Sequence, residues 1–217
     1  MLCCAALPNI SINPFSNDHF SFILIIVYVN LNEYFNTDLT HRPNVTQCYD
    51  SIAIFLTHGH AYTMTQTKRQ LLFIDHSPSA NTQRLSDAAT SIMTRDSDVH
   101  VIRKSPLTAN ADDAQSADGI LIDSTENIGY MSGLTKDFFD RTYPSLLDVS
   151  AGKSVAVYIR AGLDGTGSKR AMESILTGLG WRLMQDILIC HGKWQDHFIS
   201  EVENLALTLA LRVEMGA

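Results

Sequence analysis

The chain has 217 residues, of which 45% are hydrophobic and 18% are charged, the composition of an ordinary globular protein. This length predicts one α/β domain with an extension, or two small domains. The formal net charge of −7 argues against a surface that binds nucleic acid non-specifically. The four cysteines show neither metal-ligand spacing nor a disulfide framework, so we expect no metal site and a reduced, partly buried Cys190 in a cytoplasmic protein.

The composition changes near Met64, because residues 1–63 contain no lysine and one arginine. The apolar run Phe20–Leu31 is shorter than the roughly 20 residues of a membrane span, and no basic segment precedes it as in a signal peptide. We hypothesise that Met64 is the biological start and that residues 1–63 are upstream sequence. The alternative is a real but poorly ordered extension or targeting segment. The predicted division is therefore an extension over 1–63, with little regular structure, and a domain over 64–217.

From Leu71 onward, short apolar strands alternate with amphipathic helices. The predicted strands are Leu71–Asp75, Val99–Ile102, Gly119–Asp123, Ser154–Ile159 and Leu183–Cys190. The predicted helices are Asn81–Thr94, a short one within Asp112–Ala117, Leu134–Leu147, Ser168–Leu179 and Asp196–Val213. Pro144 is expected to end or kink the third helix, and Gly180 to close the fourth.

This alternation predicts a parallel sheet with helices on both faces. Five strands fit the doubly wound order 2-1-3-4-5, in which ligands bind at the carboxyl edge between the first and third strands. The loops that follow the first, third and fourth strands are therefore the candidate binding segments.

The first loop, His76–Thr82, carries three hydroxyls and one amide side chain and leads into a helix N-terminus. Backbone N–H groups and the helix dipole favour a bound anion there. The loop has no lysine, so a monophosphate held by neutral donors is a better match than a triphosphate. The alternative is that Ser79 or Asn81 only caps the helix.

The second loop is predicted to span ten residues, Ser124–Gly133. Its two glycines allow the backbone to approach a planar ligand closely, and Tyr130 or Met131 is suited to contact an aromatic ring. The alternative is a turn in which Ser132 caps the following helix.

The third loop, Arg160–Gly167, has three glycines, which indicate backbone placed near a ligand. Residues 162–169 are similar to a P-loop, but Ser168 precedes Lys169, the reverse of the P-loop order. We therefore reject an NTPase.

With these loops in place, Leu71 to about Val213 resembles the flavodoxin-like superfamily, particularly small flavodoxin-family proteins and NAD(P)H-dependent FMN reductases. The residues that carry the resemblance are Ser77–Thr82 and Ser124–Gly133, with Lys136, Phe139, Asp140 and Arg141. It implies a flavodoxin-like, doubly wound, five-stranded parallel sheet and FMN as the cofactor.

The resemblance also implies which residues contact FMN. For the phosphate these are Ser77, Ser79, Asn81 and Thr82. For the isoalloxazine they are Thr125, Glu126, Asn127, Ile128, Gly129, Tyr130 and Met131. For the other edge of the ring they are Ala161 and Gly162.

The implied function is an oxidoreductase that passes electrons from NAD(P)H through FMN to a quinone, flavin or similar small-molecule acceptor. No catalytic side chain is assigned, because the cofactor carries the chemistry. Two alternatives stay open: an electron-transfer flavodoxin with no substrate of its own, and a flavodoxin fold used as a binding module. The chain departs from flavodoxins at Ala80, where they commonly have glycine, and in lacking an aromatic residue in the third loop. Related proteins often complete the flavin pocket as dimers, so a homodimer is expected.

Overall fold

The computed structural model describes residues 52–57, 60–65 and 68–216. The chain divides into two compact units, Met1–Gln66 and Thr67–Ala217. The apolar run Phe20–Leu31 and the cysteines at positions 3, 4 and 48 lie outside the described residues.

The described part of the first unit is a β-hairpin. Strands β1 (Ile52–Thr57) and β2 (His60–Thr65) pair in antiparallel register, with Met64 opposite Ala53. Little regular structure was expected here, but both segments are rich in the β-branched and aromatic residues that favour strands. The hypothesis that Met64 is the biological start stays a prediction.

The second unit is an α/β domain. Its elements are β3 (Arg69–Ile74), α1 (Ala80–Asp96), β4 (Val99–Lys104), α2 (Ala111–Ser116), β5 (Gly119–Asn127), β6 (Tyr130–Met131), α3 (Gly133–Leu146), β7 (Ser154–Ala161), α4 (Thr166–Gly178), β8 (Arg182–Leu183), β9 (Leu188–His191) and α5 (His197–Glu214). The sheet order is β4-β3-β5-β7-β8, and β9 also pairs with β7. These pairs are parallel, and only the short β6 runs antiparallel to β5. The predicted order 2-1-3-4-5 is confirmed.

The central strands are buried on both faces, which explains their nearly continuous apolar sequences. Leu71 and Phe73 of β3 pack in one core cluster with residues of α1 and α5. Leu72 and Ile74 belong to a second cluster with residues of α3 and α4. Side chains alternate between the faces of a strand, so one apolar run supplies both cores.

Several predicted boundaries are confirmed. Pro144 lies in the last turn of α3, which ends at Leu146. Gly180, with φ of +67°, follows the C-cap Leu179 of α4. The short helix predicted between the second and third strands is α2.

The fifth strand was predicted as one segment, Leu183–Cys190, and this is wrong. Val155 of β7 pairs with Leu183, whereas Tyr158 pairs with Leu188. Five steps along the fifth strand therefore span three steps of β7, and the extra residues leave the ladder between β8 and β9. Cys190, in β9, is a free and buried thiol, and burial raises its pKa to about 12. Among the described helices, none combines the length and apolar character needed to cross a membrane.

Candidate functional site

The three predicted loops meet at the carboxyl edge of the sheet because they follow neighbouring strands. The order β3-β5-β7 places the ends of these strands side by side. On one side of β5, the backbone N–H of His76 donates to the Asp123 carboxyl. On the other side, the N–H of Leu163 donates to Glu126 at 2.7 Å. Strand β5 therefore holds both neighbouring loops through carboxyl side chains.

The first loop ends in a capping box at the start of α1. The Ser79 hydroxyl accepts from the N–H of Thr82 at 3.3 Å, and the Thr82 hydroxyl accepts from the N–H of Ser79 at 2.9 Å. Two of the four residues predicted to hold phosphate thus use their hydroxyls to start the helix. Ser79 therefore caps α1, and its contact with a phosphate stays a prediction.

The loop retains other donors at this helix N-terminus. Within the described residues, the N–H groups of Ser77, Ala80 and Asn81 donate no hydrogen bond, and neither do the side chains of Ser77 and Asn81. They stand at the positive end of the 17-residue helix α1. Burial lowers the pKa of the His76 imidazole although Asp75 opposes the shift, so near neutral pH the loop offers uncharged donors.

The second loop is a β-hairpin, and the prediction of a ten-residue loop is wrong. Strand β5 continues through Asn127, which pairs with Tyr130 across a two-residue turn. Both turn residues have positive φ, 53° at Ile128 and 72° at Gly129, the pattern of a type I′ turn. Isoleucine is unusual at such a position, so the turn signal is hidden in the sequence.

After the hairpin, Ser132 caps α3 by accepting from the N–H of Thr135 at 3.1 Å, as the alternative interpretation predicted. The Ser124 hydroxyl accepts from the N–H of Ser132 at 3.2 Å and donates to the Thr135 hydroxyl at 3.1 Å. These buried contacts fix the base of the hairpin, so the hairpin tip is the part of the second loop that is left for ligand contact.

The hairpin separates the residues predicted to contact an aromatic ring. Met131 is buried in the core and unavailable to a ligand. Ile128 is fully exposed at the tip of the hairpin. Tyr130 is partly exposed and lines a cleft of about 440 Å³ with Lys136 and Arg170. Thr125 and Asn127 lie near the tip, with the Thr125 hydroxyl donating to the Asn127 side chain at 3.0 Å.

The third loop is fastened to the hairpin. Besides accepting from Leu163, the Glu126 carboxylate accepts from the N–H of Gly165 at 3.2 Å. Gly167 lies so near the hairpin that a Cβ at this position would be 2.0 Å from the Gly129 carbonyl oxygen. Glu126, predicted as a flavin contact, therefore has a positioning role in this structure.

Ala161 and Gly162 differ in what they offer a ligand. The Ala161 side chain is buried in the core, whereas Gly162 is exposed and has open space around its Cα. The third loop therefore presents backbone at Gly162, with the exposed Leu163 beside it.

A buried polar cluster that the sequence did not predict lies beneath the first loop. Burial, and then the neighbouring Asp75, raise the pKa of Asp123 to about 8. Burial also raises the pKa of Tyr158, so its hydroxyl stays protonated. Ser86 of α1 completes the cluster. The one sequence signal was that two predicted strands each end in an aspartate, Asp75 and Asp123.

Comparison with solved structures identifies the fold. A flavodoxin from the domain Archaea is 21% identical, with a TM-score of 0.57 over 68% of this chain and 99% of that chain. The apo form of an NADH:FMN oxidoreductase is 18% identical, with a TM-score of 0.54 over 66% of this chain and 89% of that chain. A flavodoxin, WrbA-like protein from Agrobacterium tumefaciens is 10% identical, with a TM-score of 0.55 over 70% of this chain and all of that chain.

No protein-family model and no curated protein matches the sequence. The identity to the solved structures is low, so the comparison addresses the arrangement of the backbone. TM-scores above 0.5 over about two thirds of this chain show that those proteins share its backbone arrangement. The chain therefore has the fold of the flavodoxin-like superfamily.

Proposed function

We propose that the chain binds FMN at the carboxyl edge of the sheet and acts as an NAD(P)H-dependent oxidoreductase. The observation that carries this proposal is the joining of three loops by Asp123 and Glu126. One end of the joined edge has free N–H donors at a helix N-terminus, and the other has exposed apolar side chains. This polarity matches a molecule with a phosphate at one end and a ring at the other.

The described residues fit such a ligand at both ends. At the phosphate end, Ser77, Ala80 and Asn81 offer N–H groups with no protein acceptor. At the ring end, Ile128 and Leu163 are exposed on the hairpin and third loop that Glu126 ties together. Gly162 adds exposed backbone with open space beside Leu163.

When bound, FMN would supply hydride and electron transfer between a nicotinamide and an acceptor. The role of the chain is then to bind and orient. The first loop holds the phosphate, the Glu126 contacts fix the spacing between the hairpin and third loop, and the exposed edge admits a second ligand. A quinone, flavin or similar small molecule is the proposed acceptor, and a second copy of the chain completing the pocket is the proposed assembly.

The test is a titration of the full chain with FMN, followed by fluorescence quenching, and then NADH and NADPH oxidation assays with a quinone. We expect FMN to bind at micromolar concentration and to be required for oxidation. Asn81→Ala removes an exposed side chain that has no protein partner, so the free energy of unfolding should not change. Losing one hydrogen bond to the phosphate should weaken FMN binding about tenfold.

The matched control is Asn204→Ala, which removes an exposed amide from α5, outside the loops. Riboflavin lacks the phosphate, so its affinity should be the same in wild type and Asn81→Ala. Equal loss of riboflavin and FMN binding would contradict the assignment of the phosphate end. FMN binding without NAD(P)H oxidation would favour an electron-transfer flavodoxin, and absence of FMN binding would favour a binding module.

A further inference from the structure

The buried Asp123 lies directly beneath the first loop. Its side chain is 2% exposed, and its Oδ1 accepts from the N–H of His76. Its Oδ2 lies 3.1 Å from the Ser86 hydroxyl and 3.1 Å from the Tyr158 hydroxyl. The carboxyl thus joins the first loop to α1 and to the neighbouring strand β7.

A second carboxyl shares the same serine. The Ser86 hydroxyl is 2.8 Å from Asp75 Oδ1, its shortest contact, and Asp75 Oδ2 accepts from Arg103 Nε at 2.6 Å. Arg103 also donates to Asp87 at 2.7 Å. Asp75 is therefore balanced by a cation, whereas Asp123 has no cationic partner among the described residues.

The number of hydroxyl protons in the cluster favours the neutral form of the Asp123 carboxyl over the carboxylate. Ser86 has one hydroxyl proton, and its shortest contact assigns that proton to Asp75. The Tyr158 proton can satisfy one of the remaining contacts among Ser86, Asp123 and Tyr158. The 3.1 Å contact between Ser86 and Asp123 then needs a proton on Asp123. With a neutral carboxyl, two of the three contacts among Ser86, Asp123 and Tyr158 have a proton, whereas with the carboxylate only one has.

An anion on the first loop would add a reason for the neutral form. The free N–H groups of Ser77, Ala80 and Asn81 lie in the loop whose His76 N–H is held by Asp123. A negative charge behind these donors would repel a bound phosphate, and a neutral carboxyl removes that repulsion. The raised pKa of Asp123 agrees with this arrangement.

Given the proposed function, on which this inference depends, we propose that Asp123 is a positioning residue of the first loop that must hold a proton when the loop binds the phosphate of FMN. FMN binding is then coupled to proton uptake. The charged and titratable groups around Asp123 are Asp75 at the end of β3, His76 in the first loop and Tyr158 in β7. Arg103 is linked to them through Asp75, and Asp87 through Arg103. Helix α5 packs on the same face, and none of its charged groups in the described residues bonds to Asp123.

The test is the Kd of FMN and of riboflavin for the full chain between about pH 7 and about pH 9.5. As pH rises past a midpoint near 8, the Kd of FMN should rise by up to about tenfold per pH unit. Riboflavin should show no such rise, because it carries no phosphate. The phosphate itself has its second pKa near 6, below the tested range.

Asp123→Asn keeps the shape and stays neutral, so its Kd for FMN should be constant over this range. Asp75→Asn removes the neighbouring negative charge, so the rise in Kd should move to lower pH. Calorimetry in buffers of different ionisation enthalpy should count close to one proton taken up by wild type above the midpoint, and none by Asp123→Asn.

An unchanged pH profile in Asp123→Asn, or the same profile with riboflavin, would overturn the coupling while leaving FMN binding intact. Failure of wild type to bind FMN even near pH 7 would overturn the proposed function and the coupling with it. A circular dichroism melt of each variant shows whether it folds. If Asp123→Asn does not fold, the shift of the profile in Asp75→Asn decides the matter.

Discussion

Strand β5 holds the first and third loops in the same way, through a carboxyl side chain that accepts backbone N–H groups. One of these carboxyls is buried and the other is partly exposed. Asp123 and Glu126, three residues apart, each accept backbone N–H groups from the adjoining loop. Asp123 is buried, shares its oxygens with Ser86 and Tyr158, and has a raised pKa. Glu126 is only partly buried and accepts two N–H groups of the third loop.

This difference in burial predicts that the phosphate end and the ring end of the site differ in rigidity and in sensitivity to pH. A buried carboxyl is costly when charged and leaves its donors without water if it is removed. A partly exposed carboxylate keeps much of its hydration, and water can replace it. The phosphate end should therefore be rigid and sensitive to pH, whereas the ring end should be easier to open.

The largest expected effect is the loss of stability when Asp123, at the phosphate end, is replaced. Asp123→Ala removes the acceptor of the His76 N–H and of the Tyr158 hydroxyl. We expect the free energy of unfolding in urea, at pH 6, to fall by about 3 kcal/mol. Asp123→Asn is the matched control, because it keeps a carbonyl acceptor and should lose less. Equal losses in the two variants would show that the hydrogen bonds are not what stabilises this end.

The difference in stability between wild type and Asp123→Asn should depend on pH. The unfolded chain releases the Asp123 proton near its ordinary pKa of 3.8, whereas the native protein keeps it up to about 8. The unfolded state therefore binds fewer protons in this window, and wild-type stability falls relative to Asp123→Asn as pH rises through it. The slope of the difference is at most about 1.4 kcal/mol per pH unit, and it should vanish above pH 8.

A smaller loss of stability is expected when Glu126, at the ring end, is replaced. Glu126→Ala frees the N–H groups of Leu163 and Gly165, and water can replace the lost acceptor at the exposed Leu163 but less readily at the buried Gly165. We expect a loss of about 1 kcal/mol in the free energy of unfolding and faster amide exchange at these two positions. Glu201→Gln, an exposed change on α5, is the control. A loss as large as that in Asp123→Ala would erase the contrast between the ends.

The sequence predicted the sheet well and the site less well, for physical reasons. Strand order follows from apolar runs that alternate with helices, and those signals are local. The Asp123 cluster was missed because Ser86 and Tyr158 lie 37 and 35 residues away along the chain. Only the parallel pairing of β3, β5 and β7 brings them together.

The role of Glu126 shows the same limit. Its residue type and position beside the site were compatible with flavin contact, but its acceptors face backbone N–H groups of another loop. Every residue except proline has a backbone N–H, so the identities of Leu163 and Gly165 do not predict that they bond to Glu126. The hairpin was hidden for a different reason, since Ile128 occupies a turn position that sequences usually fill with asparagine or glycine.

The smallest expected effect is at Ile128, where one substitution should raise stability and weaken flavin binding. Ile128 has φ of +53°, a strained value for a β-branched residue, and its side chain is fully exposed. Ile128→Asn relieves the strain and removes no buried contact, so the free energy of unfolding should rise by about 0.5 kcal/mol. If the exposed apolar side chain contacts the ring, riboflavin and FMN should both bind several-fold more weakly to this variant, a loss of about 1 kcal/mol. Ile128→Val keeps both the strain and most of the apolar surface, so it should bind like wild type. Higher stability with unchanged binding would place the ring away from the hairpin tip, and the strain at Ile128 would then have no role in recognition.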